Sequence, residues 1–115
     1  MEILRLIESS NWITDYQIID YRKWIDGFYY KLKITFIDES VIFAKEYFET
    51  KERNYSFHWQ TKEDNMINRW DNAPHHKDIS TFPHHKHCND GIFESFEISL
   101  VEILEYIHKH FINTK

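Results

Sequence analysis

From residue 28 to residue 37 the chain alternates: Phe28, Tyr30, Leu32, Ile34 and Phe36 share one side of an extended backbone, and Tyr29, Lys31, Lys33 and Thr35 share the other. A period of two over that length predicts a strand with one face in a core. Residues 12–24 mix polar with β-branched and aromatic types and precede Asp26-Gly27, a hairpin signal, so they read as the strand before it. Residues 41–49, 55–60 and 66–71 read as further strands, separated by polar turns at 38–40, 50–54 and 62–65. The central chain is thus predicted to be a meander of about five antiparallel strands.

Two segments carry a helical period instead. Ile3, Leu4, Leu6 and Ile7 predict a short helix over residues 2–9, which Ser9, Ser10 and Asn11 end. Ser99-Leu100-Val101-Glu102 matches a capping box, in which the serine and glutamate satisfy each other's free backbone donors. Leu100, Ile103, Leu104, Ile107 and Phe111 then follow on one helical face, with Glu105 and Lys109 four apart outside. The expected fold is α+β, an antiparallel sheet with a short N-terminal helix and a C-terminal helix packed on it, in a single domain over 1–115.

The hairpin between the last two strands has a specific consequence. If its loop is the two-residue Glu63-Asp64, His58 falls opposite Arg69 and Ser56 opposite Asp71, all on the polar face. That face leads into residues 70–88, which hold both prolines, the only cysteine and five of the eight histidines. Pro-His-His-Lys occurs twice there, at Pro74 and nine residues later at Pro83. Each proline stiffens its own φ and pushes the preceding residue toward extended geometry, so the imidazoles are presented from constrained, non-helical backbone.

Three chemistries compete for these histidines. Imidazole exchanges protons near neutral pH, so His75, His76, His84, His85 and His87, with Lys77, Lys86 and Arg69 as cations, supply the parts of a metal-independent ribonuclease. Neutral imidazole and thiolate also bind zinc-like ions, and His85 and His87 share one side of an extended segment with Cys88 adjacent. The spacing matches no structural-zinc framework. The third reading is a loop whose histidines cap, stack and hydrogen-bond. Elsewhere the bland readings are favoured: His58 as a sheet residue, His108 and His110 at a helix C-terminus, Trp59 and Trp70 in the core. Cys88 and His87, as sequence neighbours, point apart in extended backbone.

Charge and composition narrow the partners. With 115 residues and 17% aromatics, the chain can bury a core without disulfides or a structural metal, and no cofactor is expected. A formal net charge of −5 argues against general polyanion binding, so any nucleic-acid contact must be local. One cysteine fits a reducing compartment, and the lack of a long apolar run or leader predicts a cytoplasmic protein that does not cross a membrane.

The segments Tyr-Ser-Phe-His-Trp-Gln at 55–60, Arg-Trp-Asp-Asn-Ala-Pro-His-His at 69–76 and Thr-Phe-Pro-His-His-Lys-His at 81–87 together resemble the TumE family of toxin-antitoxin systems. The resemblance is specific over residues 53–91 and weakens at Cys88-Asn89-Asp90-Gly91. It implies a small cytoplasmic toxin with a cognate antitoxin encoded beside it. It supplies no catalytic mechanism. The reading is therefore a toxin acting on RNA as a ribonuclease, with His75, His76, His84, His85, His87, Lys86, Arg69 and Asp71 as the catalytic set. Its active face is expected to be basic around Lys77, Lys86 and Arg69, with Glu94, Glu97, Glu102 and Glu105 elsewhere. The rivals are a metal-dependent hydrolase and a non-enzymatic module that grips a protein through exposed aromatic strands.

Overall fold

The fold is that of a computed structural model, which describes residues 2–74 and 78–113. Helix α1 (Glu2–Ser9) leads into seven strands: β1 (Ile13–Trp24), β2 (Gly27–Phe36), β3 (Val41–Glu49), β4 (Glu52–Gln60), β5 (Met66–Asp71), β6 (His85–Cys88) and β7 (Gly91–Glu94). Helix α2 (Leu100–Asn113) closes the chain. Every strand pairs antiparallel with its sequence neighbour, so the described residues form one seven-stranded meander in the order β1 to β7. The expected α+β meander stands, with two strands more than the pattern suggested.

The turns explain where boundaries moved. Trp24 pairs with Gly27, leaving Ile25-Asp26 as the loop, and a Cβ on Gly27 would lie 2.2 Å from the Phe48 carbonyl oxygen. Only glycine fits that approach. Glu49 pairs with Glu52, so the turn expected over 50–54 shrinks to Thr50-Lys51. Arg53 is in the strand because it is anchored. Its guanidinium meets Glu46 at 2.6 Å and Glu97 at 3.2 Å, donates to the Ile98 carbonyl at 2.8 Å, and lies 4.2 Å from the Tyr55 ring centre. One arginine thereby ties the approach to α2 onto the sheet.

Both helices contribute to a core on one face of the sheet. Ile7 of α1 and Leu100, Ile103, Leu104 and Ile107 of α2 are buried with Leu32, Ile34, Phe36, Phe57, Trp59 and Trp70. The capping box forms as expected: the Ser99 backbone N–H donates to Glu102 Oε1 at 3.1 Å and the Glu102 N–H to Ser99 Oγ at 3.2 Å. At the other end of α2, His108 stacks on Trp12 with ring centres 4.7 Å apart, and His110 meets Trp59 edge-on at 5.5 Å. These two histidines are packing groups. Among the described residues, no helix is long and apolar enough to cross a membrane.

The other face carries the alternate residues of each strand, Lys31, Lys33, Phe43, Lys45, Tyr47, Ser56 and His58 among them, and no buried residue of either helix lies on it. The two faces should therefore respond differently to truncation. Leu104→Ala is expected to lower unfolding free energy by about 2–5 kcal/mol, and Lys45→Ala to change it by no more than about 0.5 kcal/mol. Urea denaturation of the two variants checks this; equal losses would contradict a one-sided core.

Candidate functional site

The register of β4 on β5 determines what the uncovered face can do. Ser56 pairs with Asp71 and His58 with Arg69, as expected, but not through the expected two-residue loop. The Thr61 N–H donates to the Asn65 carbonyl at 2.8 Å and the Asp64 N–H to the Thr61 carbonyl at 3.0 Å, so the loop is the three residues 62–64, with Asp64 at φ 68°. A three-residue turn ending in a left-handed residue shifts pairing by one position. A bulge shifts it back: Gln60 pairs with Met66 and Trp59 with Asn68, leaving Ile67 extra on β5.

Strand β6 then continues the pattern. Asp71 pairs with His85 and Arg69 with His87. The histidine segment was not expected among the strands of the sheet, but the backbone of His85–Cys88 completes the ladder that β5 would otherwise leave open. Its entry is fixed by Thr81. That hydroxyl donates to the His84 carbonyl at 2.7 Å and accepts from the Ser95 N–H at 3.0 Å, while the Thr81 carbonyl accepts from the His84 N–H at 2.9 Å.

Asp71 is the hub of the site and is 4% exposed. Its Oδ1 accepts from His85 Nε2 at 2.8 Å and from the Ala73 N–H at 3.0 Å. Its Oδ2 lies 3.3 Å from Arg69 Nε and 3.5 Å from His87 Nε2. Four N–H sources around one buried carboxylate are what a buried charge requires. His85 is also buried, and its Nδ1 lies 2.9 Å from the Pro83 carbonyl. Both ring nitrogens thus face oxygen atoms. Arg69 and His87 are the accessible members, with side chains 46% and 26% exposed.

The neighbouring groups differ in environment. His58 is lowered from its ordinary 6.5, first by burial and then by the charge of Arg69. It favours the neutral ring. Beside the cluster, a cavity of about 260 Å³ is lined by Lys45, Tyr47, Asn54, Ser56, Arg69 and Asp71, among others. The ligand atoms of Asp71, His85 and His87 lie within 4.8 Å of one another, close enough for one ion.

The structure thus brings together Arg69, Asp71, His85 and His87 from the expected set. Two others are elsewhere. Lys86 pairs with Trp70, and strand alternation turns it to the helix-covered side, away from His85 and His87. His84 accompanies it there: its ring is stacked 5.8 Å from that of Tyr55, whose hydroxyl is 2.8 Å from His84 Nδ1. Burial pushes the Tyr55 phenol up to about 12, so it keeps its proton and acts as the donor. His75, His76 and Lys77 lie outside the described residues, and so does the convergence expected of the first Pro-His-His-Lys segment. Glu94 was expected away from this face, yet it pairs with His85 on β7. Lys45 and Tyr47 were not expected at the site. Alternation along β3 together with the β3–β4 hairpin register would have placed them.

The described residues thus form a one-sided antiparallel sheet whose open face carries a buried carboxylate holding two histidines and an arginine. The chain belongs to the Toxin TumE family, whose model matches residues 3–111. It is accordingly a toxin with a cognate antitoxin as partner. No curated protein and no solved structure matches it.

Removing the hub should be costly. Asp71→Ala leaves Arg69 and buried His85 uncompensated and should destabilise by about 3–5 kcal/mol, whereas His87→Ala should cost about 1 kcal/mol or less; urea unfolding at neutral pH measures both. His58 supplies a second expectation. Because its folded value is depressed, its contribution is present above 6.5 and lost as pH falls from 6.5 through the folded value. His58→Gln should therefore reduce the decline of the urea midpoint over that interval; an identical decline in both proteins would contradict the assignment.

Proposed function

We propose that the toxin cleaves RNA without a divalent ion, through the cross-strand row His58, Arg69 and His87. The observation that carries this reading is that Asp71 holds both Arg69 and His87 while His58, neutral, pairs across from Arg69. The two histidines flank a cation at a separation of two strand spacings, about 10 Å, which leaves room for a phosphodiester between them. In the proposed step His58 takes the 2′-hydroxyl proton and the 2′-oxygen bonds to phosphorus. The bond from phosphorus to the 5′-oxygen breaks, and His87 gives that oxygen its proton. Arg69 balances the charge on the phosphorane, and Asp71 orients His87.

A metal-dependent hydrolase is the second reading, favoured by the 4.8 Å grouping of Asp71, His85 and His87. Arg69 beside Asp71 Oδ2 weighs against it, because a guanidinium already occupies the side from which an ion would be approached.

The test is to incubate the antitoxin-free protein with RNA in excess chelator and identify the new ends. Cleavage to 2′,3′-cyclic phosphate is expected, with His87→Ala and His58→Ala each reducing the rate by roughly a hundredfold or more and Lys86→Ala leaving it near that of the parent. The acid limb of the pH-rate profile should fall below 6.5, since His58 must be neutral. Cleavage that returns only with added metal would replace this reading by the second.

A further inference from the structure

We propose that the uncovered face of the sheet is a track for single-stranded RNA that leads into the Arg69 and His87 end; it rests on the ribonuclease reading and gives that site its substrate class. Three cross-strand rows carry the argument. The first runs Lys33, Phe43, His58, Arg69, His87 from β2 to β6, each residue paired with the next. The second runs Lys31, Lys45, Ser56, Asp71, His85 through the same strands. The third runs Arg22, Tyr29, Tyr47, Asn54 from β1 to β4. Four strand spacings from β2 to β6 amount to about 19 Å, the reach of a few nucleotides.

The chemistry of these rows fits an unpaired polynucleotide. Lys31 and Lys45 are both exposed and stand directly opposite each other, a like-charge pair that destabilises a sheet. Neither they nor Lys33 forms an ion pair among the described residues, and Asp20, across from Lys31, is engaged by Arg22 at 3.5 Å. A polyanion relieves that repulsion. Between the cations lie half-buried rings, Phe43 beside Lys33 and Tyr29 beside Tyr47, with Trp24 packed 5.7 Å from Tyr47. Rings held in a sheet offer flat surfaces to unpaired bases, which duplex bases cannot reach. The net charge of −5 does not oppose this. Glu8, Glu46, Glu97 and Glu102 interact on the helix side or at its approach, and of the acidic residues on the open face Glu49, Glu52 and Glu94 stand at strand ends, while Asp71 and Asp20 are engaged by Arg69 and Arg22.

The experiment uses full-length His87→Ala protein, so that RNA is not cut, and measures the anisotropy of a fluorescent oligouridine against salt. Lys31→Glu/Lys45→Glu should flatten the plot of log affinity against log salt by about 1.4, at about 0.7 per lost phosphate contact. Phe43→Ala should weaken binding roughly tenfold with the slope kept. Duplex RNA should bind less tightly than the single strand. Lys31→Gln/Lys45→Gln serves if the reversed pair does not fold. Unchanged RNA binding in these variants overturns the track, and loss of antitoxin neutralisation with RNA binding intact reassigns the face to the protein partner. If binding responds as expected but His87-intact protein cuts no RNA, the ribonuclease reading falls and the track stands. Cleavage undiminished by the lysine changes sinks the track alone.

Discussion

In a sheet the side chains alternate with a period of two, so a one-residue error in pairing exchanges the entire core face for the entire polar face. The β4–β5 hairpin meets that constraint with two opposite irregularities. Its three-residue turn, closed by Asp64 in the left-handed region, displaces the register by one, and Ile67 bulging out of β5 restores it. Trp70 is thereby kept in the core opposite Phe57, while Arg69 and Asp71 stay on the open face opposite His58 and Ser56. Everything that β6 adds is set by that alignment.

Given the register, the site follows from electrostatics. A carboxylate at 4% exposure needs compensating donors, and Asp71 obtains them from its own strand through Arg69, from the next strand through His85 and His87, and from the Ala73 amide. The same ion pairs hold β6 to β5, and beyond it apolar burial is slight: Ile92 and Phe93 of the edge strand β7 are both exposed. The carboxylate is therefore a structural fastener and the orienting group for His87 at once. A substitution there conflates loss of folding with loss of chemistry. Arg69 and His87, which are accessible, separate the two.

Strands with a covered face were legible in the sequence, and the reason is physical. Burial by α2 imposes apolar residues at every second position of β2, β3 and β4, as at Leu32, Ile34 and Phe36, and the capping box announces α2 itself. The polar residues Arg53 and Asn54 misled because the sequence does not show that Arg53 has Glu46, Glu97 and the Ile98 carbonyl waiting for it. Strand β6 was hidden for a related reason: it is held by polar pairs and a backbone ladder and so carries no hydrophobic period. Of the candidate site, hairpin arithmetic reached the pairing of Arg69 with His58 and of Asp71 with Ser56, but through a two-residue loop that does not form; the bulge at Ile67 cancels the extra turn residue. The separation of Lys86 and His84 from His85 and His87 could be read only once those residues were known to lie in or beside a strand.

That separation changes the sense of the histidine motif. Read as a list, Pro-His-His-Lys-His suggests four groups converging on one ligand; laid along a strand, it divides into two sets. His84 and Lys86 face the helix side, where His84 takes a hydrogen bond from Tyr55 and helps close the core. His85 and His87 face outward, and burial then divides these again, into a ring locked between Pro83 and Asp71 and a ring left partly in solvent. Only the last combines a fixed orientation with access, and it stands in the same row as Arg69 and His58. A motif rich in one residue type thus reduces, once alternation and burial are applied, to one accessible histidine for which the others provide position.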